Sequence, residues 1–140
     1  EFRARMDYFN TCAATPLQAA VGMAVLDEIE RLELVRNAAE VGDRLTAALK
    51  ERLAAHETIG DVRGSGLFLG IEMVRDSETR EPDAPLALTL SDRLKDRGFL
   101  VSWSGKFGNV IKVRPPLVFS HENADEFLSA FDTCMAELDG

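Results

Sequence analysis

Cysteine, histidine and basic residues are all scarce in this sequence. Its two cysteines, Cys12 and Cys134, lie so far apart that neither a disulfide framework nor a zinc spacing can be assembled from them, and both read as thiols. The only two histidines, His56 and His121, fall at expected helix ends among polar neighbours, so they read as solvated surface residues rather than metal ligands. No apolar run approaches the roughly 18 residues needed to cross a bilayer. Nor does the N-terminus show a basic stretch leading into a hydrophobic segment, so no membrane contact is expected and the cytoplasm is the expected compartment. Lys and Arg number 16 against 24 Asp and Glu, a formal charge of -8, which argues against a nucleic-acid partner because phosphate backbones are held chiefly by cations. An initiator methionine is missing as well. The chain starts at Glu1, and Tyr8 to Thr15 reads as the interior of something longer, so we expect a piece of a larger protein.

What is present fits one soluble core: 46% hydrophobic and 29% charged residues in a chain of 140. Thr15-Pro16-Leu17-Gln18 carries a Thr cap, a Pro in the first turn and a Gln three residues after the cap, which together predict a helix start. Leu17, Val21, Val25, Ile29 and Leu32 then recur at helical spacing to about Arg31. A second amphipathic helix is expected from about Leu34 to His56, with Val35, Ala38, Val41, Leu45, Leu49 and Leu53 on its apolar stripe.

The period changes after Ile59. Leu67, Leu69, Ile71 and Met73 alternate with Phe68, Gly70, Glu72 and Val74, the two-residue repeat of a strand, while Gly64, Gly66 and Gly70 suggest bends or close backbone approach. Asp76 to Pro85 reads as a surface loop, with Asp83 capping a helix whose buried side is Leu86, Leu90 and Leu94 and whose C-terminal cap is Gly98. Phe99 to Ser102 and Val110 to Val113 read as strands joined by a hairpin turn, and a last helix from near Ser120 carries Ala124, Phe127, Leu128, Phe131, Met135 and Leu138 inward. The expectation is a small α+β domain, a short, mostly antiparallel sheet with helices on one face.

No self-sufficient active site is visible in these residues. The carboxylates lie on polar helix faces, Ser65 between two glycines lacks the strand-turn-helix setting of a nucleophile, and Gly64 to Gly70 leads into a strand rather than the helix a dinucleotide fingerprint requires. Two places stand out. Thr11 precedes a strongly capped helix and offers a hydroxyl and nearby backbone N–H groups to an anion such as phosphate, although taken alone an ordinary loop threonine is the favoured reading. Lys112 and Arg114 alternate onto one face before two stiffening prolines, where they can hold a carboxylate or phosphate, sit exposed, or pair with the abundant acids.

Three blocks in order resemble the class III aminotransferases. Tyr8-Phe9-Asn10-Thr11-Cys12-Ala13-Ala14-Thr15-Pro16 resembles that family's segment reading Thr, aromatic, Gly, Gly, Asn, Pro before an Ala-rich helix. Arg63-Gly64-Ser65-Gly66-Leu67-Phe68-Leu69-Gly70-Ile71-Glu72 is similar to its small-domain strand, and Val110-Ile111-Lys112-Val113-Arg114-Pro115-Pro116-Leu117 to its late Arg-x-x-Pro-Pro-Leu signature. The resemblance implies the small C-terminal domain of a fold type I enzyme, a homodimer that carries pyridoxal 5'-phosphate at its subunit interface and moves an amino group from an amine or amino acid to a 2-oxo acid. It also implies that the cofactor lysine lies upstream in the large domain, so the fragment alone would be inactive and residues 1–33 would be an interface segment and linking helix before a small domain at 34–140. On the same basis Thr11 would reach the cofactor phosphate of the partner subunit, and Lys112, with Arg114 two residues on, would face the substrate acid in place of the family's arginine. Lys for Arg exchanges a planar bidentate fork for a point charge. The wording of the first and last blocks is most similar to the alanine-glyoxylate aminotransferase 2-like subgroup, which includes phospho-lyases acting on ethanolamine phosphate, an elimination with the same cofactor. A non-catalytic dimerisation or regulatory module is the alternative from outside the enzymes.

Overall fold

Thr15 opens the first helix by a reciprocal exchange: its hydroxyl accepts from the Gln18 N–H at 3.3 Å, and its own N–H donates to Gln18 Oε1 at 2.7 Å. In the computed structural model, which describes residues 15–139, this cap starts α1 (Pro16–Arg31). The chain divides into two compact units, residues 1–33 and 34–140. No side chain of α1 is buried, and Leu17, Val21 and Val25 are each more than half exposed.

The second unit begins with α2 (Leu34–Ala55), followed by β1 (Ile59–Ser65), β2 (Phe68–Met73), α3 (Ala84–Asp96), β3 (Ser102–Ser104), β4 (Val110–Val113) and α4 (His121–Asp139). The four strands form one antiparallel sheet in the order β1-β2-β4-β3. Strand alternation sends Leu69, Ile71, Met73, Ile111 and Val113 to one face, where they join Val41, Leu45 and Leu49 of α2, Leu90 and Leu94 of α3, and Phe127, Phe131 and Met135 of α4 in one buried cluster. Phe127 packs perpendicular to Phe99, ring centroids 5.5 Å apart. All three helices of this unit therefore supply one core on one sheet face.

Local chemistry fixes the ends. Asp83 accepts from the Leu86 N–H at 2.9 Å to start α3, and Gly98 follows the helix at φ 90°, a backbone region open mainly to glycine. Ser120 and Asn123 exchange backbone-to-side-chain hydrogen bonds of 3.2 Å at the start of α4. Gly66, at φ 53°, turns β1 into β2, and a Cβ on Gly42 of α2 would lie 2.2 Å from its backbone, so glycine at position 42 lets the helix rest directly on that turn.

One strand was not foreseen, and three expectations need correction. Ile59–Ser65 is a strand in its own right; its alternation is hidden by a register shift between Ile59 and Asp61, which leaves Ile59 and Val62 both inward at an odd spacing. Residues 99–101 are not a strand. The pairing Ser102↔Lys112, continued, would set Leu100 against Arg114 and residue 99 against Pro115, which has no N–H to donate. Val74, read as outward, is buried because the strand has ended and the residue instead bridges to Pro82. Val35, placed on the buried stripe of α2, is 75% exposed, since the packed part of that helix begins a turn later, with Ala38 and Val41.

Candidate active-site face of the sheet

The second face of the sheet carries no helix of the unit's core, and its residues can be read from the register. Arg63 lies opposite Gly70, Gly70 opposite Lys112, and Lys112 opposite Ser102, so one row crosses all four strands. Directly opposite residues in an antiparallel pair share a face. The neighbouring row holds Asp61, Glu72, Val110 and Ser104. Arg63 Nη1 donates to Asp61 at 2.8 Å and to Glu72 at 2.6 Å, and these hydrogen bonds, Asp61 first, raise its pKa further above the ordinary arginine value. Lys112 is treated differently: among the described residues neither it nor Arg114 makes an ion pair.

Two hollows meet at Lys112. One, of about 470 Å³, lies over Gly70 and is lined by Arg63, Phe68, Ser104 and Lys112 among others. The second, of about 220 Å³, is formed by Leu100, Val101, Ser102, Lys112 and Arg114. The structure thus brings Lys112 and Arg114 to one cavity, although β4 ends at Val113 and Arg114 stands just beyond it. The following segment is anchored: Asn37 Nδ2 of α2 donates to the carbonyls of Leu117 at 2.8 Å and Phe119 at 3.1 Å. Arg63 and Gly70 were not singled out as site residues from sequence. Gly70 had been marked for close approach, and only the strand register shows that it opens the space between two cations.

Thr11 lies outside the described residues. The helix start near it can be weighed as a phosphate site. Pro16 has no N–H, and those of Thr15 and Gln18 are already engaged in the capping box. Only the Leu17 N–H of this first turn stays outside the capping box, so the described residues offer a phosphate a single backbone donor here. His121 is exposed at the first residue of α4, His56 follows α2, and no group of three or more His, Cys, Asp or Glu suited to a metal occurs among the described residues.

Comparison with known proteins identifies the family. The family model for class-III aminotransferases matches residues 4–135. The alanine-glyoxylate aminotransferase 2 homolog 2, mitochondrial, of Arabidopsis thaliana is 40% identical over 134 residues, covering 96% of this chain and 28% of that protein. The alanine-glyoxylate aminotransferase 2-like protein of Drosophila melanogaster is 43% identical over 132 residues, 94% of this chain and 27% of that protein. Among solved structures, a phospholyase from Arthrobacter in complex with phosphoethanolamine superposes with a TM-score of 0.90 at 35% identity, over 96% of this chain and 32% of that one. The chain spans under a third of the length of these relatives. Matched by the family model over residues 4–135 and by relatives 40% and 43% identical across nearly its whole length, the chain belongs to the class III aminotransferase family.

Proposed function

We propose that this chain is the small-domain part of a pyridoxal 5'-phosphate enzyme that transfers an amino group from an amine or amino acid to a 2-oxo acid. The observation that carries the reading is the pair of cations without carboxylate partners, Lys112 and Arg114, sharing one cavity beside the open sheet face. In a chain of net charge -8 such a pair suits an acid group brought by a substrate. When bound, the cofactor supplies the electron sink, and the protein supplies position and charge. Lys112 and Arg114 hold and orient the acid end of the substrate and carry no proton in the reaction. In the complete enzyme, Lys112→Met and Arg114→Met should raise KM for an acid-bearing substrate more than they lower kcat, with little change for an uncharged amine. Equal losses on both donors would make these cations structural.

Residues 1–33 are proposed as an interface segment of a homodimer, a reading supported by the exposed Leu17, Val21 and Val25 of α1. Thr11 would donate to the cofactor phosphate of the partner subunit. Because a hydrogen bond to a charged group is worth roughly 1.5 to 3 kcal/mol, Thr11→Ala should weaken cofactor binding in the dimer by about tenfold or more. Unchanged retention on dialysis would return Thr11 to an ordinary loop residue. The 140-residue chain by itself should be inactive and form no stoichiometric protein-linked cofactor band, because no residue in it corresponds to the family's cofactor lysine.

A second reading, elimination of phosphate from an amino-alcohol phosphate, is favoured by the phosphoethanolamine-bound structural neighbour and by the fit of two cations to a dianion. Product analysis separates the two: a new amino acid with a keto acid for transfer, free phosphate with an aldehyde for elimination. A dimerisation or regulatory module without catalysis would give neither product. For compartment we propose the cytoplasm, with the mitochondrion named for the plant relative as the alternative that cell fractionation would reveal. No described helix is long and apolar enough to cross a membrane.

A further inference from the structure

The cations proposed above leave one feature of the open face unused. Arg63 stands across Gly70 from Lys112, two strand spacings away, or roughly 10 Å between backbones. Both side chains line the hollow of about 470 Å³, within the usual range for small-molecule sites, and Ser104 adds a hydroxyl to its wall. A Cβ at position 70 would enter the space between them and lie 3.1 Å from Val110 Cγ1. Asp61 and Glu72 both take Nη1 of Arg63, while Nε and Nη2 have no protein acceptor among the described residues. The planar fork is thus braced on one side and available on the other. Lys112 carries no such brace.

We propose that Arg63, Gly70 and Lys112 form an oxyanion cradle in which Arg63 is a second binding residue and Gly70 is the gap that admits the anion. This deepens the reading of Lys112 given above and rests on it, by naming the partner on the far side of the bound group. A tetrahedral or planar oxyanion lying over Gly70 receives the Nε/Nη2 side of Arg63 and the Lys112 ammonium from opposite directions. Asp61 and Glu72 set the fork's direction and also weaken its pull on an incoming anion, so the acids tune the site as well as brace it. No covalent step is involved.

Inorganic phosphate is the probe, used as a competitive inhibitor of the complete dimeric enzyme, with acetate beside it to distinguish phosphate from carboxylate recognition. Arg63→Met and Lys112→Met should each raise the phosphate inhibition constant about tenfold, and Gly70→Ala should raise it at least threefold. Glu72→Gln should lower it severalfold, and that gain should vanish in the Glu72→Gln, Arg63→Met double variant. Loss of the Glu72 charge alone would also help an anion at Lys112, so it is the disappearance of the gain in the double variant that assigns it to Arg63. Circular dichroism and dimer mass identify any variant that has failed to fold, and Arg63→Lys serves as a milder substitute for Arg63→Met. If Lys112→Met weakens phosphate while Arg63→Met and Glu72→Gln leave it within twofold, the cradle is overturned and the Lys112 reading survives. If Lys112→Met has no effect either, both fall together.

Discussion

The two faces of the sheet treat positive charge in opposite ways. On the helix side, cations close onto acids of a neighbouring helix: Arg44 onto Asp125 at 2.5 Å, Arg52 onto both oxygens of Asp132 at 2.5 and 2.6 Å, and Arg93 and Arg97 onto Glu137 at 2.8 and 2.5 Å. These pairs tie α2 and α3 to α4 over a filled core. On the open side Arg63 is only half satisfied, and Lys112 and Arg114 have no ion-pair partner among the described residues. The acids that could neutralise them are abundant in the chain, but strand alternation places only Asp61 and Glu72 on that face. Charge that has been paired holds a domain together, whereas charge left unpaired beside a cavity is available to a ligand.

The contrast can be broken most severely in the core. Phe131 is fully buried between α4 and the sheet, so Phe131→Ala should destabilise the chain by about 3–5 kcal/mol in urea unfolding, through lost contacts and the cavity left behind. A loss under 1 kcal/mol would mean that the cluster is loosely packed. Arg52→Met should cost about 1 kcal/mol, more at low than at high salt, because it leaves Asp132 of a partly buried bidentate pair without its fork. By the same measurement Lys112→Met should stay within about 0.5 kcal/mol of the parent chain, since no partner is lost. A cost equal to that of Arg52→Met would erase the distinction between the faces.

The smallest effect is expected in the loop before α3. Asp76 accepts from the Thr79 hydroxyl at 2.6 Å and from the N–H groups of Thr79 and Glu78, and these bonds, the Thr79 hydroxyl first, lower its pKa below the usual carboxylate value. A carboxylate depressed on folding stabilises above its unfolded pKa and loses that contribution as pH falls through the folded value. Asp76→Ala should therefore differ slightly from the parent at neutral pH and match it in strong acid. An equal difference at both extremes would place the effect outside the carboxylate.

Helices were easier to read from sequence than strands, and the reason is local. The caps at Thr15, Asp83 and Ser120 and the 3.6-residue stripes lie within a few consecutive residues, and the structure puts α1, α2, α3 and α4 within one or two residues of the expected bounds. The strands depend on distant partners. Alternation exposed β2, where Leu69, Ile71 and Met73 all point inward, but the register shift after Ile59 hid β1, and the proline that faces residue 99 lies in the distant segment after β4. The open face was half legible for the same reason. Lys112 and Arg114 share a short stretch, whereas Arg63 lies 49 residues from Lys112 and meets it only through β2.

Among the described residues, the order β1-β2-β4-β3 also leaves two outermost strands with unpaired backbone groups, which invite other chains to add on. The domain answers them unequally. β3 has only three residues, too short to template a foreign strand, while β1 has seven and is guarded by its irregularity near Gly60 and by the charges of Asp61 and Arg63. The same arginine that faces the cavity thus stands sentinel against aggregation, so variants that neutralise it deserve a light-scattering check alongside any binding assay.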